Sequence, residues 1–435
     1  MRSVLSPLGV RDFRRYYLGH TVSAFGDSMT PLALAFAVLH LTGSPVDLGI
    51  VVLSTRLPVI LLTLLGGAIG DRFSRRAVML LADLVRFAAH GVTATLLLTG
   101  TAQIWLLVVL QLVAGAGSAF FNPAAVGLIT TLAGRERLQA ANSLISISRS
   151  TASMLALGAA GALVALVGPG WAILIDALTF LVSAIFLHGL PRALATERVR
   201  STGGLLASIR GGLGEVARRP WLSVWILHVA LLNAVVISPI LVLGPYVADR
   251  HLGGAPAWSA IGIAYAVGGL AGGLLSARWR PARPMVAAVL MCLLSAPLPA
   301  LLALPAAVWQ LALAGVGAGL QLVVYNVLQT TAIQQHLPER FVARATSVTM
   351  LGALVAAPLG MALAGPAANA FGAGPVLVVV AVTAGFITLA TLLVPAVWRV
   401  GSTPAGHQPA DPASPHTTGT ANEVPPRPLG DRPAR

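Results

Sequence analysis

The sequence predicts an all-α membrane protein: twelve transmembrane helices in two pseudo-symmetric six-helix bundles. Three observations carry this. Of 435 residues, 56% are hydrophobic and 10% charged, against roughly a quarter charged in an average soluble protein. Mean hydropathy is +0.84 because apolar stretches recur, each long enough as a helix to cross about 30 Å of hydrocarbon. Paired motifs, separated by nearly half the chain, repeat in the same order in both halves.

Taken in order, the apolar windows broken by Gly, Pro and charge fall at 16–41, 47–70, 76–98, 103–130, 139–167 and 170–190, then at 221–248, 257–276, 284–304, 306–333, 344–370 and 373–397. Residues 1–190 form the first bundle and 221–398 the second. Residues 191–220 between them are a polar connector bearing Arg192, Arg198, Arg200, Arg210, Arg218 and Arg219, and 399–435 a Pro- and Thr-rich disordered tail. No removable signal peptide is expected before the first span, which is expected to serve as the insertion signal.

All 28 basic residues are arginine, against 14 acids. Nearly all sit in alternate short connections: the N-terminus, 72–76, 135–137, the connector, 278–283, 340–344 and the tail. Because arginine-bearing short loops stay cytoplasmic, both termini are expected there. A nucleic-acid binder would cluster such charge on one polar face, so no nucleic-acid partner is expected. The lone Cys292 builds neither a disulfide nor a thiolate metal site. Without lysine there is no phosphate-binding Gly-x-x-x-x-Gly-Lys-Ser/Thr loop, so neither nucleotide nor other cofactor is expected, and no clustered His, Asp or Glu at a membrane face suggests an enzyme. The expected partners are the lipid bilayer, a small-molecule substrate and protons, with the chain acting as a monomer.

The internal echoes are specific. Gly66-Gly67-Ala68-Ile69-Gly70-Asp71-Arg72 answers to Gly272-Gly273-Leu274-Leu275-Ser276-Ala277-Arg278. Gly115, Gly117 and Arg135-Glu136-Arg137 answer to Gly315, Gly317, Gly319 and Pro338-Glu339-Arg340, and Thr30-Pro31 to Ser238-Pro239. Two parallel six-helix repeats place substrate at the bilayer midplane between halves. With Gly67, Asp71, Arg72, Ser74, Arg75 and Arg76 between spans two and three, and Arg135-Glu136-Arg137-Leu138-Gln139-Ala140-Ala141-Asn142 further on, the chain resembles a major facilitator superfamily transporter. It is similar to the bacterial branch of the enterobactin exporter and the macrolide efflux proteins.

The resemblance implies export of small amphiphilic molecules, of drug or siderophore type, across the inner membrane by proton-coupled alternating access. A facilitator or importer of a small solute, or a non-transporting membrane receptor, is the alternative. Gln111 stands where proton antiporters of the family carry an arginine. The resemblance also implies a gate at Gly67, Asp71, Arg72, Arg75 and Arg76: the acid meets a helix N-terminus of the other half, near Arg344, when the cytoplasmic side closes.

Ionisable groups inside the membrane are costly and mark sites. Asp27, midway along span one, and Arg56, in span two, lie at depths that allow an ion pair; Asp27 would carry a proton or meet a cation, and Arg56 would support its charge or receive an anion. The alternative is a structural pair fastening two helices. Arg149, among the serines of span five, is expected to line the cavity. Asp176 is expected to be structural, and Asp83 and Arg86, three apart, to pair on one helical face. Tyr325, Asn326 and Gln329 on span ten offer a neutral polar face for substrate, or for helix contacts.

Overall fold

The computed structural model describes residues 5–72, 74–191, 218–304, 306–337 and 339–401. They form twelve long helices: α1 Arg11–Thr42, α2 Pro45–Arg72, α3 Arg75–Leu98, α4 Ile104–Gly134, α5 Glu136–Val167, α6 Pro169–His188, α7 Pro220–His251, α8 Ala255–Arg278, α9 Pro284–Leu302, α10 Val308–His336, α11 Glu339–Phe371 and α12 Ala373–Leu392. Eleven are long and apolar enough to cross a membrane, and within α11 Val355–Phe371 is a shorter apolar helix. Most of the connector and nearly all of the tail lie outside the described residues.

The boundaries follow from backbone chemistry. Proline occupies one of the first two positions of α6, α7, α8 and α9, where its missing N–H has no helical partner to lose. Gly43, at φ 63°, ends α1 with its N–H on the Leu39 carbonyl, the left-handed cap that glycine adopts without Cβ strain. Gly134, at φ 70° and ψ 164°, separates α4 from α5 directly before Arg135-Glu136-Arg137. Midway along α7, Asn233–Ile237 form a π-helical segment directly before Ser238-Pro239, where proline withholds one backbone donor.

α1 packs mainly against α6 and against α4 and α5, whereas α2 leans on α4 and α11 and touches α1 little. In the second half α8 lies along α10, and α7 along α11. Glycine permits the tightest crossings: a methyl on Gly319 would fall on the Tyr265 carbonyl, and one on Gly360 on the Ala234 carbonyl. Outward-facing Leu61, Leu81, Leu155, Leu274, Val379 and Phe386 leave an apolar surface suited to lipid.

The halves meet through α2 with α11 and α5 with α8. Named contacts across them lie toward the arginine-poor end: Gly49 against Met361, Gly365 against Pro45 and Val46, and Gly161 against Ser259. There Arg250 Nη2 also donates to the Gly43 carbonyl at 3.2 Å, and His40 approaches Asp249 at 3.7 Å. Toward the arginine-rich end α5 exposes Asn142, Ser143, Ser146 and Ile147 along an open depression of about 820 Å³.

Candidate functional site

Charge and polarity converge on a cavity of about 430 Å³ reached by α1, α2, α3, α4 and α5 of the first half and by Leu241 of α7. Asp27, Arg56 and Arg149 all line it. The three membrane charges of the first half expected to meet cargo or protons therefore share one space, and Arg86 lines it with them.

Their pairing differs from expectation. Asp27 faces Arg86 of α3, with Nη1 to Oδ2 at 3.8 Å, and among the described residues no carboxylate lies within ion-pair distance of Arg56. The helix contacts explain this correction: α1 and α2 are joined by a short turn but diverge, and α2 spends its packing surface on α4 and α11. Equal depth on consecutive helices did not make them neighbours along their length.

Arg86 is the centre of the arrangement. Its side chain is 4% exposed, it pairs closely with the fully buried Asp83 one turn back, and its guanidinium lies 4.3 Å from the Phe121 ring centre and 4.2 Å from that of Phe180. Delocalised and weakly hydrated, a guanidinium suits such a stack better than an ammonium does. Gly117 of α4 gives its stem passage, since a Cβ there would sit 2.9 Å from Arg86 Cγ. Arg86 thus holds one inaccessible acid, Asp83, while facing a second, Asp27, whose side chain keeps 55% of its surface and lines the cavity.

A second buried pair lies alongside. Asp176 of α6 is completely buried, accepts from the Thr30 hydroxyl at 2.5 Å and meets His90 Nδ1 at 2.6 Å; Gly26 leaves the space it occupies. Every polar atom of such a group must be satisfied in a membrane interior, and these contacts join α1, α3 and α6. Asp83, Arg86 and His90 occupy positions i, i+3 and i+7 of α3, so one polar stripe carries the whole network. That spacing was visible in the sequence.

The other expected residues are distributed elsewhere. Tyr325 is buried, its ring 5.0 Å from Trp225 and 5.9 Å from His228; Gln329 is buried one turn later and Asn326 is exposed. None of the three lines the 430 Å³ cavity, and the neutral polar face expected of them is divided between a packed core and a surface. Arg75 donates to the Gly127 carbonyl at 2.6 Å, and Arg76 to the carbonyls of Leu187 and His188 at 2.9 and 2.6 Å, capping the C-terminal end of α6 where a cation is favoured. Gly67, Asp71 and Arg72 lie on the last turns of α2; their side chains are outside the described residues. Gln111, fully buried against the cavity, receives among the described residues only a long approach of 3.4 Å from Thr55 at its Oε1, and among them its Nε2 has no partner.

Apolar helices around a charged cavity, lined by the first half and Leu241 of the second, are the architecture of a membrane transport protein. The model of the Major Facilitator Superfamily matches residues 16–361, and the chain belongs to that family, whose members move small molecules rather than transform them. It is 30% identical over 361 residues to the multidrug efflux pump Tap of Mycolicibacterium fortuitum, covering 80% of this chain and 87% of Tap. To macrolide efflux protein A of Streptococcus pyogenes it is 23% identical over 366 residues, covering 83% and 90%. The crystal structure of the nucleoside transporter NupG superposes with a TM-score of 0.71 at 12% identity, over 89% of this chain and 99% of that one.

Proposed function

We propose that this transporter exports small amphiphilic molecules across the bacterial inner membrane by alternating access, driven by inward proton flow. The observation that carries the proposal is the cavity in which an accessible acid, Asp27, faces an arginine already committed to a second, inaccessible acid. When Asp27 is charged it attracts Arg86; when a proton or a cationic group of the cargo neutralises it, Arg86 retains Asp83. Only a ligand with different affinity for the two states of the protein shifts their balance. Competition for one carboxylate is the simplest way to make proton and cargo alternate. Likeness to the efflux pump Tap supports the direction.

Arginine-bearing short loops define the cytoplasmic side, so both termini face the cytoplasm. The contacts at the arginine-poor end then seal the cavity from outside, and the polar stripe of α5 is its cytoplasmic approach. Closure of that side would engage Asp71 with the start of α11 near Arg344, and Arg75 and Arg76 would hold the end of α3 against α4 and α6 while α2 moves.

The test is accumulation of an amphiphilic dye in inverted vesicles. Uptake should follow the proton gradient and stop when pH difference and membrane potential are both collapsed. Undiminished, concentration-following flux under collapse would mean a facilitator, and accumulation only in right-side-out vesicles an importer.

A further inference from the structure

We propose that the cargo is a zwitterion, whose cationic group meets Asp27 and whose anionic group is held by Arg56 and Arg149; this rests on the reading of the cavity as the transport site. The argument is a count of unmet charges. Asp27 has an ionic contact to Arg86 of 3.8 Å, too long for a hydrogen bond, and among the described residues no hydrogen bond to its carboxylate. Arg86, at the same time, is closely engaged by Asp83. Asp27 therefore retains acceptor capacity toward the cavity.

The opposite sign is also present. Arg56 and Arg149 are exposed and line the same space, and among the described residues neither has a carboxylate within ion-pair distance. Arginine binds carboxylate, sulfonate and phosphate groups through paired N–H donors. Gln111, a fully buried residue of the cavity lining, has among the described residues no partner for its Nε2. A purely cationic cargo would satisfy Asp27 and leave two guanidinium groups facing it; a purely anionic one would satisfy the arginines and leave nothing to compete with a proton at Asp27. A zwitterion completes both, and Val52, Val59, Leu34 and Phe121 on the same wall receive its apolar body.

Three dyes sharing a xanthene ring make the test: zwitterionic rhodamine B, anionic fluorescein and cationic tetramethylrosamine, each titrated by fluorescence anisotropy against the full chain in nanodiscs. Rhodamine B should bind at least about tenfold more tightly than either single-charge dye, each bidentate ionic contact being of that order. Arg56→Gln and Arg149→Gln should each remove most of that advantage by weakening rhodamine B, while tetramethylrosamine should hold or tighten as a facing cation is lost, and the Lys variants should restore part of the advantage. Asp27→Asn should weaken rhodamine B and spare fluorescein. Equal binding of rhodamine B and tetramethylrosamine by the unaltered protein would overturn the proposal without any variant, as would equal losses of both dyes in the arginine variants. Equilibrium binding needs no gradient, so the ranking of dyes stands or falls separately from proton-driven export, which the vesicle experiment decides.

Discussion

At the scale of single residues, the energetic centre is a charge that never reaches water. Arg86 and Asp83 are each less than 5% exposed, and removing one member of such a pair strands the other in a medium of low dielectric. Loss of one partner costs about 3 to 5 kcal/mol, whereas neutral replacement of both is often tolerated. Arg86→Gln is accordingly expected to reduce the amount of folded protein in the membrane severely, and Asp83→Asn with Arg86→Gln to restore most of it, measured by quantitative immunoblot of membranes and by monodispersity in detergent. Additive losses would show that the two charges do not depend on each other. Arg56→Gln, by contrast, should leave abundance unchanged. Much of this was legible in the sequence: Asp27, Arg56 and Arg149 stand out because membrane spans rarely carry charge. The pairing of Asp83 with Arg86 was legible from their spacing of three; which base meets Asp27 was not, because depth along a helix is set by sequence, while the azimuth that selects neighbours is set by how α2 packs on α4 and α11.

At the scale of helices, glycine placement determines how closely the chain can cross itself. Gly268, Gly272, Gly315 and Gly319 let α8 and α10 approach until the backbone of one fills the space where the other's side chains would stand, and without a hydrophobic drive between helices in lipid such packing is the main adhesive. Gly319→Ala must push Tyr265 aside. Overpacking of this kind costs about 1 to 3 kcal/mol, so the thermal midpoint of the detergent-purified variant should fall, while Gly91→Ala, where a Cβ meets nothing within 4 Å, should leave it unchanged. The number, order and approximate limits of the helices were readable from the apolar windows, since length and hydropathy are local properties. The polar face expected on α10 was not, because the Tyr325 ring found aromatic partners on α7 that no window on α10 reveals.

At the scale of the whole molecule, the account requires the arginine-poor end to open and close. His40 and Asp249 face each other across the halves at that end, and replacing the lone Cys292 leaves a background into which His40→Cys and Asp249→Cys can be introduced. A short thiol cross-linker between them should abolish transport and its reductive cleavage should restore it; transport that continues while cross-linked would mean that this end need not part. Asp71→Asn should slow turnover more than it weakens dye binding, because it removes a contact made in one state only; equal loss of both would place Asp71 outside the gate. The central claim is that proton and cargo share Asp27. It is tested most directly by adding rhodamine B to the purified, weakly buffered protein and recording pH with a soluble indicator. The account predicts proton release on binding by the unaltered protein and none by Asp27→Asn; binding without release across the acid-to-neutral range, or the same release from Asp27→Asn, would contradict it.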